Sequence, residues 1–378
     1  MEKKNLTQSR ELNFIDKLLA PQMRSKINEL VLGDVSSPVI VELDPTSNCN
    51  FSCPECINHD LINNGQFSEE QLLNLIAEFK KIGVKGLIFI GGGEPLAHSS
   101  MPRPLVFAKE IGLKIGLTTN GSLIERHINE IADCVDWTRV SLDAGCESTH
   151  SIFRPSKIRN AFSKIILSME KLAQKKSGLL GYSFLIVERK NGLDIETNIH
   201  ELYSSAVLAK DIGCDYFEFK PMVDDDHNLV PLSTTSKDIL LTQMDKMEKL
   251  NDERFRVIFP ASVFHILSCG NSIQQEKNYQ FCPAVELRTV VTPSGVYPCP
   301  YKRGRMLLSN SYQEFSQFWS DSETRKILKQ IDPSKDCPFY CIRNDMNILL
   351  NAVINTYTNG VNLLDYLSPK NKNDDVFL

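Results

Sequence analysis

Three cysteines, Cys49, Cys53 and Cys56, stand at C-x3-C-x2-C within the run Pro45-Thr46-Ser47-Asn48-Cys49-Asn50-Phe51-Ser52-Cys53-Pro54-Glu55-Cys56. The run directly follows an apolar, strand-like stretch, so one loop brings three thiolates together. Soft thiolate ligands select zinc or an iron–sulfur cluster. On a cubane of four irons, three cysteines leave one iron without a protein ligand and free to hold a substrate or cofactor. The alternative is a structural Cys3His zinc site completed by His59, three positions after Cys56.

A second candidate is Gly91-Gly92-Gly93-Glu94-Pro95, which follows a buried strand. Its glycines let backbone approach a ligand without side-chain clash, although a glycine run after a strand also serves as a tight turn. Thr118, Thr119 and Asn120 end one strand, and Ser141 and Asp143 the next; such groups bond a ribose or a carboxylate, or cap the following segment. Arg154 offers bidentate pairing to a carboxylate. Downstream, Cys282, Cys299, Cys337 and Cys341 supply four more soft ligands, enough to complete a cluster with no free iron or a zinc knuckle. Lys220 and the run Lys302-Arg303-Gly304-Arg305 offer cations to a phosphate or carboxylate, or simply form solvated surface.

These residues need elements to hold them. From Val39 the chain alternates apolar β-rich runs with longer amphipathic segments, the signature of βα units around a parallel sheet. Strands are expected at Val39–Leu43, Gly86–Ile90, Lys114–Thr118, Thr138–Leu142, Gly181–Val187 and Tyr216–Phe219. Helices are expected near Ser68–Ile82, Arg103–Ile111, Leu123–Asp133, Ile158–Lys176 and Asp194–Ile212, several ending at a glycine such as Gly83, Gly112 or Gly213. Six units fall short of the eight that close a TIM barrel, which implies an α/β fold with a partial (β/α)6 barrel. In parallel sheets the ligand site lies beyond the carboxyl ends of the strands, where the cysteine loop, Gly91–Pro95, Thr119–Gly121 and Asp143 all fall.

C-x3-C-x2-C with the aromatic Phe51, followed by Gly-Gly-Glu-Pro, resembles the radical S-adenosylmethionine (radical SAM) superfamily over roughly Val39 to Val223. The resemblance implies that Cys49, Cys53 and Cys56 hold a [4Fe-4S] cluster whose free iron chelates S-adenosylmethionine. One electron then cleaves the cofactor to a 5′-deoxyadenosyl radical. It further implies that Gly91, Gly92, Gly93, Glu94 and Pro95 bind the cofactor's amino group, with the acidic residue fixing the turn. Ser141, Asp143, Arg154 and Ser183 become contacts to its ribose and carboxylate, joined by Thr118 and Asn120. The later cysteines, with Gly295 four positions before Cys299, resemble a twitch domain, a shortened relative of the SPASM domain, and imply one auxiliary [4Fe-4S] cluster. Cys269 would then be an alternative ligand, a hydrogen-atom donor to a substrate radical, or a small buried residue. Cys134, Cys146 and Cys214 read as buried small residues.

The expected organisation is a helical extension over 1–37, a radical SAM core over 38–232 and a loop-rich auxiliary cluster domain over 233–378. A polar helix near Ser236–Leu250 and a final one near Arg343–Tyr357 belong to the last, and the tail around Lys370–Asp375 reads as mobile. The 378 residues, 42% hydrophobic and 24% charged, have ordinary globular composition. A net charge of -5 argues against general nucleic-acid binding. With no membrane-length apolar run and no secretory signal at the first residues, a cytoplasmic location is expected, where eleven cysteines are reduced and available to metals.

The expected function is hydrogen abstraction from a small polar metabolite, of sugar, cyclitol or nucleotide-sugar type, ending in oxidation or epimerisation. An external reductant such as flavodoxin or ferredoxin would serve it. The alternatives are a maturase that modifies a peptide, for which some 38 residues before the first strand leave little room for a leader-binding domain, and a non-enzymatic iron–sulfur electron carrier.

Overall fold

A computed structural model describes residues 14–62, 65–191, 194–268, 275–310, 314–361, 376 and 377. The first five strands are β1 (Ile40–Leu43), β2 (Gly86–Phe89), β3 (Lys114–Thr119), β4 (Trp137–Ser141) and β5 (Leu179–Ile186). A hairpin of β6 (Glu188–Asn191) and β7 (Asp194–Thr197) follows, then β8 (Tyr216–Pro221), β9 (Arg256–Ile258), β10 (Arg288–Thr292) and β11 (Gly295–Tyr297). The strands form a nine-stranded sheet in the order β11-β10-β1-β2-β3-β4-β5-β8-β9, apart from the separate β6-β7 hairpin. Every neighbouring pair in the large sheet is parallel except β10 with β11. Its edges, β11 and β9, do not meet, so the expected partial barrel is open.

Local chemistry explains the rhythm. β1 and β2 are buried along their whole length and read as continuous apolar runs broken only by Glu42 and Gly86. The helix Glu69–Ile82 starts at Ser68, whose hydroxyl accepts from the Gln71 amide while the Gln71 side chain accepts from the Ser68 amide. This reciprocal cap contributes about 1 kcal/mol. Gly83 ends the helix at φ 98°, where a side chain would be strained.

The structure departs from the sequence reading at the sheet's margins. The segment from Asp194, expected to begin a helix, instead pairs with Glu188–Asn191 as β7, and the helix runs only over Leu202–Ile212. Asn191-Gly192 is a hairpin signal that outweighs the helical pattern. The stretch expected to be loop-rich, 259–340, contains β10, β11 and the helices Ala261–Ser268, Phe315–Ser320 and Ser322–Gln330. Residues 233–378 therefore extend both edges of the core sheet, β9 beside β8 and β10 beside β1. Strands this short carry too little periodicity to read without their partners.

A second, smaller core lies against the amino ends of β1 and β2. There Leu18, Met23, Ile27 and Leu30 meet Met346, Leu350 and Val353 of the helix Asn344–Thr358, together with Val376 and Phe377. The Phe377 ring packs edge-on against Trp137, 5.5 Å between centroids, and its carbonyl accepts from Lys17 at 3.0 Å. Residues 362–375, including the tail expected to be mobile, lie outside the described residues.

Candidate functional site

The loop after β1 carries Cys49, Cys53 and Cys56, all half-buried free thiols. Tight turns shape it, with the Cys56 amide on the Cys53 carbonyl and the His59 amide on the Cys56 carbonyl. Cys49 and Cys53 each lie within electrostatic reach of Cys56, and burial pushes the Cys53 thiol up to about 11. Thiols so placed are inert unless a metal displaces their protons. His59 does not complete the set: its ring faces the Cys56 carbonyl at 3.0 Å and Asp60 at 3.2 Å. Among the described residues, no three Cys, His, Asp or Glu side chains close on a single-ion site. The donors thus fit a cluster of several irons with one position left open better than one tetrahedral zinc with bonds of ~2.3 Å.

Four anchors hold this loop. The Ser52 amide donates to the Pro155 carbonyl, and Phe51 bridges to Ser156. Arg189, on the hairpin strand β6, forks onto Glu55, with Nη2 2.7 Å from the carboxylate. Asn120, at the end of β3, donates to Asn50 at 2.8 Å. The glycine loop supplies the fourth. A Cβ on Gly93 would fall 2.2 Å from the Asn48 carbonyl oxygen, and one on Gly91 would fall 1.8 Å from the Gly93 oxygen, so only glycine fits this close approach. Glu94, 2% exposed, is held by three hydrogen bonds within the fold. It accepts from Thr119 Oγ1 at 2.6 Å and from the Asn120 and Leu96 amides, and burial raises its pKa. Pro95 opens the short helical turn that follows.

Asp143 sits at φ 56°, a left-handed conformation unusual for a residue with a side chain. It accepts from the Leu185 amide at 2.7 Å and from Arg154 Nη1 at 2.5 Å. Asn198 locks this corner by donating to the Asp143 and Leu185 carbonyls. Arg154 keeps a buried Nε without a partner and lies 5.9 Å from the Phe51 ring. Ser141 and Ser183 are register partners on β4 and β5. Thr118 accepts from Arg139 at 3.3 Å. The sequence-expected cofactor residues therefore gather at the carboxyl ends of β2 to β5, around the cysteine loop.

Cys282, Cys299, Cys337 and Cys341 are brought together from three separate stretches, the last two sharing one. Cys282 lies within electrostatic reach of the other three, and all are free thiols. Burial pushes Cys299 up to about 12 and Cys337 up to about 11. Asn347 donates to Cys282 Sγ at 3.4 Å. Cys269 lies outside the described residues. Cys134 and Cys214 are buried, whereas Cys146 is half-buried, with its thiol 3.3 Å from Glu201.

Two guanidinium groups tie the two cysteine regions to one strand. Glu42 and Asp44, two residues apart on β1 and just beyond it, share one face. Arg303 reaches Asp44 at 2.8 Å, the Asn58 side chain at 3.1 Å and the Gly91 carbonyl at 3.2 Å. Asp44 in turn accepts from the Gly92 amide at 2.9 Å. Arg288 donates to Glu42 at 2.6 Å, and Arg343 lies 3.6 Å away. The sequence reading missed Asp44, Asn198 and this use of Arg303. A carboxylate at the mouth of an apolar strand was the one available signal for Asp44. The remaining cations of the expected basic run are also engaged, Lys302 with the Asp336 carbonyl and Arg305 with the Asp225 carbonyl.

Inside the open barrel lies a cavity of about 1480 Å³, lined by Glu42, Ile90, Arg139, Glu218, Lys220 and Arg288 among others. Trp137, Tyr216 and Phe377 lie at its amino end, and Asn58, Tyr301 and Arg303 at its mouth.

Comparison with known proteins accords with this geometry. Residues 43–185 match the Radical SAM superfamily. The AdoMet-dependent heme synthase of Methanosarcina barkeri is 26% identical over 187 residues, 48% of this chain and 50% of the relative. The GTP 3′,8-cyclase of Chlorobaculum tepidum is 27% identical over 213 residues, 54% of this chain and 61% of the relative. The chain thus spans half to three-fifths of these relatives. Among solved structures, Streptococcus suis SuiB bound to precursor peptide SuiA superposes with a TM-score of 0.61 at 14% identity, covering 94% of this chain and 79% of that one. Native anSMEcpe with bound AdoMet and Cp18Cys peptide gives 0.55 at 16% identity, covering 85% and 99%. The chain carries a radical SAM domain at residues 43–185. The cofactors of that superfamily are S-adenosylmethionine and a [4Fe-4S] cluster, and the three-thiol loop fits them. Among the described residues no helix is long and apolar enough to cross a membrane.

Proposed function

We propose that this protein is a radical SAM enzyme that removes a hydrogen atom from a C–H bond of a small polar metabolite, of sugar, cyclitol or nucleotide-sugar type, leading to oxidation or epimerisation at that carbon. The observation that carries the reading is the three-thiol loop seated against the glycine turn, with Arg303 and Arg343 reaching β1 and the residue beyond it from the stretches that follow Cys299 and Cys341. Cys49, Cys53 and Cys56 hold the first cluster, and Cys282, Cys299, Cys337 and Cys341 an auxiliary one. The bound cofactors supply an electron and, from S-adenosylmethionine, a 5′-deoxyadenosyl radical.

The chain's own residues do the rest. The glycine turn brings backbone against the cysteine loop, and Glu94 fixes that turn. Ser141, Ser183, Thr118 and Asn120 offer hydroxyl and amide groups to the cofactor, while Asp143 orients Arg154 beside it. A flavodoxin or ferredoxin serves as electron donor.

The test is anaerobic reconstitution followed by incubation with candidate substrates in D2O and mass spectrometry. Reconstituted protein is expected to hold about eight irons with labile sulfide, and to form 5′-deoxyadenosine. Deuterium gained at carbon identifies epimerisation, and loss of two hydrogens identifies oxidation. Zinc without sulfide would end the reading. A modified peptide as product would make the protein a maturase, and clusters without 5′-deoxyadenosine would leave an electron carrier.

A further inference from the structure

The upper part of the cavity contains more cations than its carboxylates can pair. Glu42 is taken by Arg288, with Arg343 beside it; Asp44 is taken by Arg303; Glu218 is taken by Arg139. Arg343 also lies within electrostatic reach of Cys299, so it offsets thiolate charge there. Lys220 is left. It is half-buried at the carboxyl end of β8 and lines the cavity, and its ammonium has no hydrogen bond or ion pair with any described residue. Burial, and then neighbouring Arg139, lower its pKa against the opposing pull of Glu218 and Asp143, which are already engaged by Arg139 and Arg154.

Its position points at the cofactor end of the cavity. Lys220 is the register partner of Leu185, whose amide is held by Asp143, the residue that also holds Arg154. Arg139, whose Nε is buried without a partner, lies below it on the cavity wall. A cationic wall of this kind, next to polar groups, selects an anionic ligand.

We propose that Lys220 is the docking point for an oxyanion, a phosphate or carboxylate, carried by the substrate, with Arg139 as the flanking cation. This rests on the reading that the substrate enters the cavity, and it narrows the substrate class to anionic metabolites. The terminal anion binds at the wall formed by β8 and β4, which leaves the remainder of the molecule to extend toward Ser141 and Ser183.

The test is calorimetric titration of inorganic phosphate, and separately of succinate, into the reconstituted enzyme loaded with S-adenosylmethionine at fixed ionic strength. Saturable binding is expected, weakened roughly 10-fold or more in Lys220→Met, as follows from losing one charge-assisted contact. Lys220→Arg should retain most of it. Arg305→Ala, which removes an outer guanidinium, should not change it. The tighter of the two anions names the group. As a second measurement on the unmodified protein, phosphate or succinate should protect Lys220 from acetylation, read by mass spectrometry. Absence of saturable binding, equal binding in Lys220→Met, or absence of protection would overturn the proposal. Whether the wild-type enzyme forms 5′-deoxyadenosine is a separate readout, so the functional reading can fail without this one, and the reverse.

Discussion

The two cysteine regions of this molecule are built in opposite ways. Cys49, Cys53 and Cys56 belong to one loop, and their spacing alone keeps them near each other. Cys282, Cys299, Cys337 and Cys341 meet only because β10 and β11 pair, the helix Asn344–Thr358 docks on the N-terminal helices, and the turns between close over them. The first region presents three thiols beside glycine backbone; the second presents four. Three protein ligands suit a site that must take a further ligand, and four suit one that keeps its potential or its shape. Arg303 joins them, so the contrast in construction does not mean independence.

Breaking the first region should have the largest effect. Cys53→Ala removes a ligand from the three-thiol site and should abolish 5′-deoxyadenosine formation, measured by chromatography after anaerobic reduction. Retained cleavage in that variant would falsify the assignment.

Breaking the second should separate the two. Cys299→Ala is expected to keep about four irons and to cleave S-adenosylmethionine without substrate, while product formation is lost. Full iron and full product in this variant would mean that the four later thiols do not form a working cluster.

The joint between them can be tested by stability. Arg303→Met leaves the Asp44 carboxyl buried without its guanidinium and should cost about 3–5 kcal/mol. The double variant with Asp44→Asn should recover part of that loss, since the two residues share one interaction. Chemical denaturation of the reconstituted proteins measures both, and additive losses would show that the pair is not the joint.

The smallest effect concerns pH. His150 is 1% exposed, packs edge-on against Phe51 at 5.8 Å, and is pushed down to about 4 by burial and by Arg154. It is neutral when folded, so its contribution is complete above the unfolded value near 6.5 and is lost as pH falls toward 4. Between pH 7 and 5 the wild type should lose roughly 2 kcal/mol relative to His150→Leu. Parallel pH–stability curves for the two proteins would remove His150 as the cause.

How far the site was legible in the sequence depends on how far its parts reach along the chain. The βα rhythm was readable from Val39 to Phe219 because each unit repeats a period of two and then of 3.6 over enough residues to register. Strand boundaries shifted by at most two residues, as for Leu179–Ile186 against the expected Gly181–Val187, whereas helix starts moved further, as for Ala161 against Ile158. The hairpin strand β6 carries Arg189, which anchors Glu55 in the cysteine loop. It falls between the expected strand Gly181–Val187 and the expected helix from Asp194, a stretch to which the sequence reading assigned no element.

The sequence by itself determined the chemistry: thiols at fixed spacing, a glycine turn after a buried strand, and the parallel α/β architecture that sets both at one end. Those properties depend on neighbours within a few residues, where covalent geometry and side-chain period leave little choice. Only the tertiary structure decided that Arg303 would meet Asp44 across 259 positions of chain, that Arg189 would reach Glu55 in the cysteine loop, and that Lys220 would line the cavity. Pairings of that range are set by which surfaces bury together when the strands assemble into the sheet, and no local pattern encodes them.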